Sequence, residues 1–167
     1  MKLYPGNEIY YRQDAKQMLK NGELLTLAGS DYVLVEFSLS NATKGQITEA
    51  VRELQLGGYL PVVAHIERYD AIVGDVDFAM ELVEAGAYIQ VNASSVTGEL
   101  GGNRKRFIKK LIKNDCVHFV GTDAHDTKGR APVLKKCAAY LTKKFDEEVA
   151  DTLLRYNPAL VLKNEII

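Results

Sequence analysis

The sequence has few cysteines, no long apolar run and almost no net charge. Its two cysteines, Cys116 and Cys137, form no CxxC pair and lie in apolar context, so we expect buried thiols in a reducing compartment. No stretch reaches the roughly 18 apolar residues of a membrane span, and the first residues lack the apolar segment of a signal peptide. The net charge of −1 gives no electrostatic reason to expect nucleic acid or a membrane as partner. We therefore expect a cytoplasmic protein.

Length and composition predict one globular domain. Two domains within 167 residues would each be too small to bury a good core, so we expect residues 1–167 to form a single domain. The stretch 103–113 is strongly basic, but its apolar residues recur at helical spacing: Phe107, Ile108, Leu111 and Ile112. This spacing favours a helix whose basic face is solvated.

Short apolar runs alternate with longer amphipathic segments along the chain. Strands are predicted for 32–39, 60–66, 88–94 and 116–122, and helices for 47–59, 75–87, 103–114, 131–145 and 146–157. The less regular first forty residues allow a strand broken by Pro5-Gly6 and a hairpin between 23–29 and the first of the four strands, and 159–163 is a candidate last strand. This alternation predicts an α/β fold with a parallel sheet covered by helices, in which function lies at the carboxyl ends of the strands.

Polar residues of the metal-ligand type follow these strands. The set consists of Glu8 after the first apolar segment, Glu36, His65 and Asn92 at three strand ends, and Asp123 and His125 after the fourth strand. Mixed imidazole and carboxylate ligation suits Mn, Fe or Zn. Bridging carboxylates would also allow two or more ions about 3.5–4 Å apart, the arrangement used for in-line displacement at phosphorus.

Each of these residues alone has a structural interpretation. His65 could be a histidine at the core edge, Asp123 a turn or helix-capping acid, Glu36 an edge-strand charge and Glu8 part of a surface loop. The joint placement favours a metal site, because separate strands would otherwise have to bring ligand-type residues to the same end by chance. His118 lies inside a predicted strand and is expected to be structural.

Two arginines closely follow proposed ligands. Arg68 comes three residues after His65, and Arg130 comes five residues after His125. Guanidinium groups beside a metal cluster bind phosphate or carboxylate in a bidentate manner. The alternative is a pair of surface arginines in ion pairs with Glu67 or Asp126.

The segments "PGNEIYY", "YVLVEFS", "GGYLPVVAHIERY", "GAYIQVNASSVTGELG", "VHFVGTDAHDTKGRAP" and "NPALVL" resemble the PHP superfamily. Within it, the sequence is most similar to the CpsB/CapC-type protein-tyrosine phosphatases of bacterial capsule and exopolysaccharide operons. The resemblance implies a (β/α)7-type barrel, up to three metal ions that are usually manganese, and hydrolysis of phosphotyrosine by a metal-activated water. It implies no cysteine nucleophile, which agrees with the absence of a Cys-x5-Arg loop.

Carried over by position, the resemblance implies a specific set of site residues. The metal ligands would be Glu8, Glu36, His65, Asp123 and His125, and the phosphate would be held by Arg68 and Arg130. The implied partner is a phosphotyrosine protein, the tail of a bacterial tyrosine kinase. Two alternatives stay open: a small-molecule phosphatase of the histidinol phosphatase type, and a catalytically impaired, truncated barrel.

The sequence also departs from the family pattern. The family has a His-x-His strand before the "GNEI" segment, whereas the histidines here are His65, His118 and His125. Ile66 and Thr122 stand where the family usually has Pro and Ser. We therefore expect an incomplete barrel without its first β/α units, weaker metal binding, slow turnover, and self-association across an open sheet edge.

Overall fold

The computed structural model describes residues 2–167 and has an α/β architecture. Five parallel strands form one sheet in the order β1-β2-β3-β4-β5, so each strand pairs with its neighbour in sequence. The strands are β1 (Glu8–Tyr10), β2 (Tyr32–Glu36), β3 (Leu60–Val63), β4 (Tyr88–Asn92) and β5 (Phe119–Gly121). Over residues 2–167 the sheet is not closed, and β1 and β5 are its edges.

Eight α-helices accompany the sheet within residues 2–167. They are α1 (Ala15–Lys20), α2 (Lys44–Gln55), α3 (Val76–Glu84), α4 (Ala93–Thr97), α5 (Gly102–Lys113), α6 (Lys135–Lys144), α7 (Glu147–Asp151) and α8 (Asn157–Lys163), with a π-helical turn over Thr152–Tyr156. In the part of the chain that the structure describes, no helix is both long and apolar enough to cross a membrane.

Local sequence signals explain where the helices begin and end. Thr43 and Gln46 form a reciprocal capping box at the start of α2, and the Asp75 carboxylate accepts a hydrogen bond from the Phe78 amide at 3.0 Å at the start of α3. After α3, Gly86 has a φ of +87°, and a Cβ there would lie 2.3 Å from the Gln55 side chain. Gln55 in turn donates a hydrogen bond to the Ala85 carbonyl oxygen at 2.8 Å, so this glycine lets α2 approach the end of α3 closely.

The core lies between the sheet and the helices. Every residue of β4 is buried, as expected for a parallel strand covered on both faces. The buried residues of α2 are Ile47, Ala50, Val51 and Leu54, and those of α5 are the predicted Phe107, Ile108, Leu111 and Ile112. The prediction of a basic helix with a solvated face is therefore confirmed for α5.

Two predictions about secondary structure are wrong. Residues 23–29 do not form a hairpin with β2, because both edges of β2 are occupied by β1 and β3. This segment instead contains a 3-10 turn at Leu27–Gly29. Residues 159–163 belong to α8 rather than to a strand. Pro158 stands in the first turn of α8, directly after the π-helical turn, and Val161 packs against Tyr32, Val62 and Tyr88.

Candidate metal centre

His65 is the centre of a cluster of three ligand-type side chains. It follows β3 in the left-handed conformation, with a φ of +33°, and is only 2% exposed. Its Nε2 atom lies 3.2 Å from Glu8 Oε1 and 3.2 Å from Glu36 Oε2. Glu36 ends β2 as predicted, whereas Glu8 is the first residue of β1 rather than the residue after a strand. The parallel pairing of β1 with β2 still brings both carboxylates to the imidazole.

The chemistry of this cluster fits a divalent cation. The three ligand atoms lie within 4.8 Å of one another. Two carboxylates face one ring nitrogen, which carries at most one proton, so a cation between them would relieve their mutual repulsion. Burial alone would lower the pKa of His65, but the hydrogen bond to Glu8 and the charges of Glu8 and Asp123 raise it on balance. The site therefore attracts positive charge to a buried imidazole, while Glu8 and Glu36 remain partly exposed to water.

Aromatic and backbone contacts hold the imidazole in place. The His65 ring lies 5.6 Å from the ring of Tyr69, measured between centroids, and the Tyr69 hydroxyl accepts a hydrogen bond from the Phe37 amide at 3.2 Å. The His65 backbone N–H donates to Gln90 Oε1 at 2.5 Å. The packed Tyr69 ring and the fixed backbone leave Nε2 directed at the two glutamates, while Nδ1 has no hydrogen-bond partner within residues 2–167.

Asp123 forms a second cluster with two arginines. It follows β5 with a φ of +53°, and its side chain is 9% exposed. Its Oδ2 atom accepts hydrogen bonds from Arg68 Nη1 at 2.9 Å and from Asn92 Nδ2 at 2.9 Å, and Arg130 forms an ion pair with the same oxygen. Both predicted phosphate-binding guanidinium groups thus converge on one carboxylate.

Side-chain amides connect the two clusters. Gln90 accepts a hydrogen bond from the His65 backbone and donates through Nε2 to Asn92 Oδ1 at 3.0 Å. Asn92 then donates to Asp123. Gly121 leaves space for this connection, since a Cβ there would lie 2.5 Å from Gln90 Nε2. The ends of β3, β4 and β5 are therefore linked by hydrogen bonds from the first cluster to the second.

Comparison with known proteins identifies the family. The family model for capsular polysaccharide synthesis proteins, CpsB/CapC, matches residues 1–163. The chain belongs to the CpsB/CapC family. The predicted resemblance is therefore confirmed.

Curated members of the CpsB/CapC family cover nearly the whole chain. The tyrosine-protein phosphatase CpsB of Streptococcus pneumoniae is 34% identical over 97% of this chain and 68% of its own length. A putative tyrosine-protein phosphatase, CapC of Staphylococcus aureus, is 36% identical over 100% of this chain and 65% of its own length. The chain thus spans about two thirds of the length of these relatives.

A solved CpsB/CapC structure has the same fold. It comes from a study of YwqE from Bacillus subtilis and CpsB from Streptococcus pneumoniae, which are described as metal-dependent tyrosine phosphatases. The TM-score is 0.90 at 34% identity, over 98% of this chain and 66% of that chain. YwqE and CpsB are therefore phosphatases that depend on metal, as the sequence resemblance implied.

The structure groups the predicted site residues of this CpsB/CapC chain in two sets. Glu8, Glu36 and His65 form the one cluster of three or more ligand-type side chains found among residues 2–167. Asp123 lies outside that cluster, engaged with the arginines, and His125 is an exposed residue whose Nδ1 lies 3.0 Å from the Asp123 carbonyl oxygen. Ligand roles for Asp123 and His125 stay predictions. The alternative partners for the arginine side chains, Glu67 and Asp126, are not the ones observed.

His118 has the structural role that was predicted. Its Nδ1 accepts a hydrogen bond from the Ile89 amide at 3.1 Å, and its carbonyl oxygen accepts one from Asn157 at 2.9 Å. Burial lowers the pKa of His118 to about 4, so the ring is neutral at physiological pH. Cys116 and Cys137 are free and buried, as expected.

Sequence reasoning missed two buried polar residues in the site. Gln90 stands in the middle of an apolar strand, and that position was an available signal. Glu67 is fully buried, with Oε1 accepting a hydrogen bond from the Asn92 amide at 3.1 Å. Glu67 gave no signal, since a glutamate followed by an arginine in "HIERY" has the pattern of a surface turn.

Proposed function

We propose that this chain is a metal-dependent phosphoric monoester hydrolase that acts on phosphotyrosine in proteins. The observation that supports it most is the convergence of Glu8 and Glu36 on His65 Nε2, beside a pocket where Arg68 and Arg130 meet. The proposal includes Mn²⁺ as the cation, with Fe or Zn as alternatives, and an open sheet that corresponds to part of a PHP-type (β/α)7 barrel in a single domain. The free cysteines support a reducing, cytoplasmic location.

Different residues would bind the cation and the phosphate. Glu8, Glu36 and His65 would hold the cation, with Asp123 and His125 as further candidate ligands. When bound, the cation supplies Lewis-acid polarisation of the phosphoryl group and a more acidic nucleophilic water. Arg68 and Arg130 bind the phosphate oxygens, orient the ester and stabilise the charge that develops on them.

Asp123 gives the arginines their position in the absence of substrate. It holds both guanidinium groups at one point, so the two long side chains are already ordered before a phosphate binds. Phosphate binding therefore loses less side-chain conformational entropy. A phosphate dianion offers the same guanidinium groups more oxygens and more charge than the carboxylate does. Substrate binding would therefore exchange Asp123 for phosphate as their main partner.

The shape of the pocket supports a protein substrate over a small metabolite. The cavity next to Asp123 has a volume of about 690 Å³ and is walled on one side by the exposed residues Lys128, Gly129, Arg130 and Val133. An open site of this kind admits a chain segment, whereas a histidinol phosphatase needs an enclosed polar pocket around its small substrate. The proposed partner is accordingly the phosphotyrosine tail of a bacterial tyrosine kinase.

The test is manganese-dependent phosphate release by the 167-residue chain from a phosphotyrosine peptide and from histidinol phosphate. We expect turnover of the peptide that Glu36→Gln abolishes and that Glu84→Gln, at an exposed position of α3, leaves intact. Preference for histidinol phosphate would favour the small-molecule alternative. Manganese binding without turnover of either substrate would identify the catalytically impaired alternative.

A further inference from the structure

The cavity beside Asp123 carries more positive charge than one phosphate requires. Its walls include the cationic side chains of Arg68, Arg104, Lys128, Arg130 and Lys136, but the carboxylates of only Asp123 and Glu99. Asp123 already pairs with Arg68 and Arg130. No ion pair formed within residues 2–167 includes Arg104, Lys128 or Lys136. Three cations of the cavity are therefore left without a carboxylate partner.

Arg104 is held in place by main-chain oxygens. It stands in the first turn of α5, and its Nε donates to the Glu67 carbonyl oxygen at 3.3 Å while Nη1 donates to the Leu100 carbonyl oxygen at 3.3 Å. These contacts orient the guanidinium without neutralising it. Its Nη2 group makes no hydrogen bond within the described part of the chain and remains available to an anion.

The loop after β5 supplies two of the five cations of the cavity, Lys128 and Arg130. Asp126 Oδ1 accepts hydrogen bonds from the backbone amides of Lys128 at 2.7 Å, Gly129 at 2.6 Å and Arg130 at 3.0 Å. The Asp126 carboxylate is thereby used within the loop and lies outside the cavity lining. Lys128 and Arg130 belong to the lining, and Lys136 in the first turn of α6 adds the third unpaired cation.

We propose that Arg104, Lys128 and Lys136 form a second anion subsite, which binds an acidic group of the substrate peptide close to the phosphotyrosine. The inference rests on the proposed function, because it takes Arg68 and Arg130 as the phosphate site in the same cavity. The ligand is a segment of peptide with a second negative group, either the carboxylate of Asp or Glu or the phosphate of a second phosphotyrosine. Charge complementarity in a cavity that holds both subsites is the argument for it.

The subsite is tested by binding of peptides that cannot be hydrolysed. Three peptides carry phosphonomethyl-phenylalanine in place of phosphotyrosine and differ only at the neighbouring positions, which are Glu, Gln or a second phosphonomethyl-phenylalanine. Dissociation constants come from fluorescence anisotropy of labelled peptide at fixed ionic strength. We expect the Glu peptide to bind about 1.5-fold to fivefold more tightly than the Gln peptide, the range for ion pairs that are partly exposed. The third peptide distinguishes a carboxylate ligand from a phosphate ligand. If it binds more tightly than the Glu peptide does, the subsite is assigned to a second phosphate.

Variants separate the subsite from general charge attraction. Lys128→Gln combined with Lys136→Gln should abolish the preference for Glu over Gln. Lys143→Gln combined with Lys144→Gln removes the same charge from the exposed far end of α6 and should keep that preference. Equal affinities of the Glu and Gln peptides for the unmodified chain would overturn the proposal, as would equal loss of the preference in both double variants.

The outcome for the subsite is independent of turnover. A preference for Glu that depends on Lys128 and Lys136, found together with no phosphate release from phosphotyrosine peptides, supports an anionic peptide site and rejects the phosphatase function. Turnover of phosphotyrosine peptides with no effect of the neighbouring residue on binding rejects the subsite and leaves the phosphatase function standing.

Discussion

Arg68 donates a hydrogen bond through Nη1 to Asp123 Oδ2 at 2.9 Å, so a residue predicted to bind phosphate is paired with a residue predicted to bind metal. The two roles compete for one carboxylate oxygen. An anion that binds Arg68, or a cation that binds Asp123, would therefore weaken the ion pair between these two residues.

Replacing Arg68 by Lys should weaken phosphate recognition. A lysine retains the charge but loses the planar pair of donors that a guanidinium presents to phosphate oxygens. Loss of a hydrogen bond to a charged group costs about 1.5–3 kcal/mol, which is more than about tenfold in kcat/KM for a phosphotyrosine peptide. Arg155→Lys, in an exposed ion pair with Asp151, is the matched control and should leave the kinetics unchanged. Equal kinetics for Arg68→Lys and the control would remove Arg68 from the site.

Asp123→Asn discriminates between a metal ligand and a counter-ion for the arginines. Asn preserves the size and tolerates the left-handed backbone at this position, unlike Ala. If Asp123 is a ligand, the manganese stoichiometry measured by elemental analysis after desalting should fall. If it is only a counter-ion, the stoichiometry should stay the same and the affinity for inorganic phosphate should rise. Glu36→Gln serves as the reference for loss of a ligand.

His118 should make folding stability depend on pH between about 4 and 6.5. Burial lowers its pKa in the folded protein to about 4, so in this interval the unfolded chain binds a proton that the folded chain does not. Its contribution to the free energy of unfolding is fully present above about pH 6.5 and decreases as the pH falls towards 4, by less than the roughly 1.4 kcal/mol per unit of a fully buried group. Urea denaturation of His118→Gln should show a shallower decline over this interval. A parallel decline in both proteins would show that His118 is not the group responsible.

Glu67→Gln should stabilise the protein at neutral pH. Burial raises the pKa of Glu67 more than the contacts with Ser95 and Asn92 lower it, and Oε2 has no hydrogen-bond partner within residues 2–167. The free energy of unfolding therefore falls as the pH rises from the pKa of Glu67 in the unfolded chain through its higher pKa in the folded protein. The neutral amide of Gln does not ionise, so the variant does not lose this stability. The expected gain is on the order of 1 kcal/mol at pH 7, and it should shrink at pH 4. A destabilised variant at pH 7 would mean that the carboxylate is satisfied by a group such as a bound cation near His65.

The edge at β1 should promote self-association. Within the described residues β1 pairs on one side only, with β2, and the side chain of Tyr10 on this strand is 59% exposed. An unpaired edge with apolar side chains is a template for a second strand. Light scattering should show mass increasing with concentration, and Tyr10→Lys should reduce this increase. Leu56→Lys, at an exposed apolar residue after α2, should not. A monomer at all concentrations would contradict the prediction.

Periodicity was sufficient to predict the central elements. The strands β2, β3 and β4 and the helices α2, α3 and α5 have strong patterns and clear caps, and the structure contains them at nearly the predicted bounds. Residues 159–163 were wrongly predicted to be a strand because a run of five mostly apolar residues fits both the strand and the helix periodicity. The segment is helical, and Val161 packs on the sheet from that helix. Position at strand ends correctly predicted that Glu36 and His65 meet.

The remainder of the site depends on contacts that no local pattern encodes. The pairing of Asp123 with Arg130 requires the loop between them to turn back, which follows from three amide hydrogen bonds to Asp126. The burial of Glu67 depends on the way β4 and the turn after β3 approach each other. Such long-range contacts are set by tertiary structure, and the sequence around each residue resembles an ordinary surface turn.

The left-handed backbone at His65 and Asp123 places activity and stability in opposition. Each non-glycine residue in this conformation costs about 1–2 kcal/mol, and that cost is borne by the folded state whether or not a ligand is bound. Glycine would relieve it, more completely at Asp123 than at His65, where loss of the buried ring leaves a cavity. A laboratory selection that rewards heat resistance alone should therefore drift towards glycine at position 123, which yields a more stable protein without the carboxylate that holds Arg68 and Arg130 together.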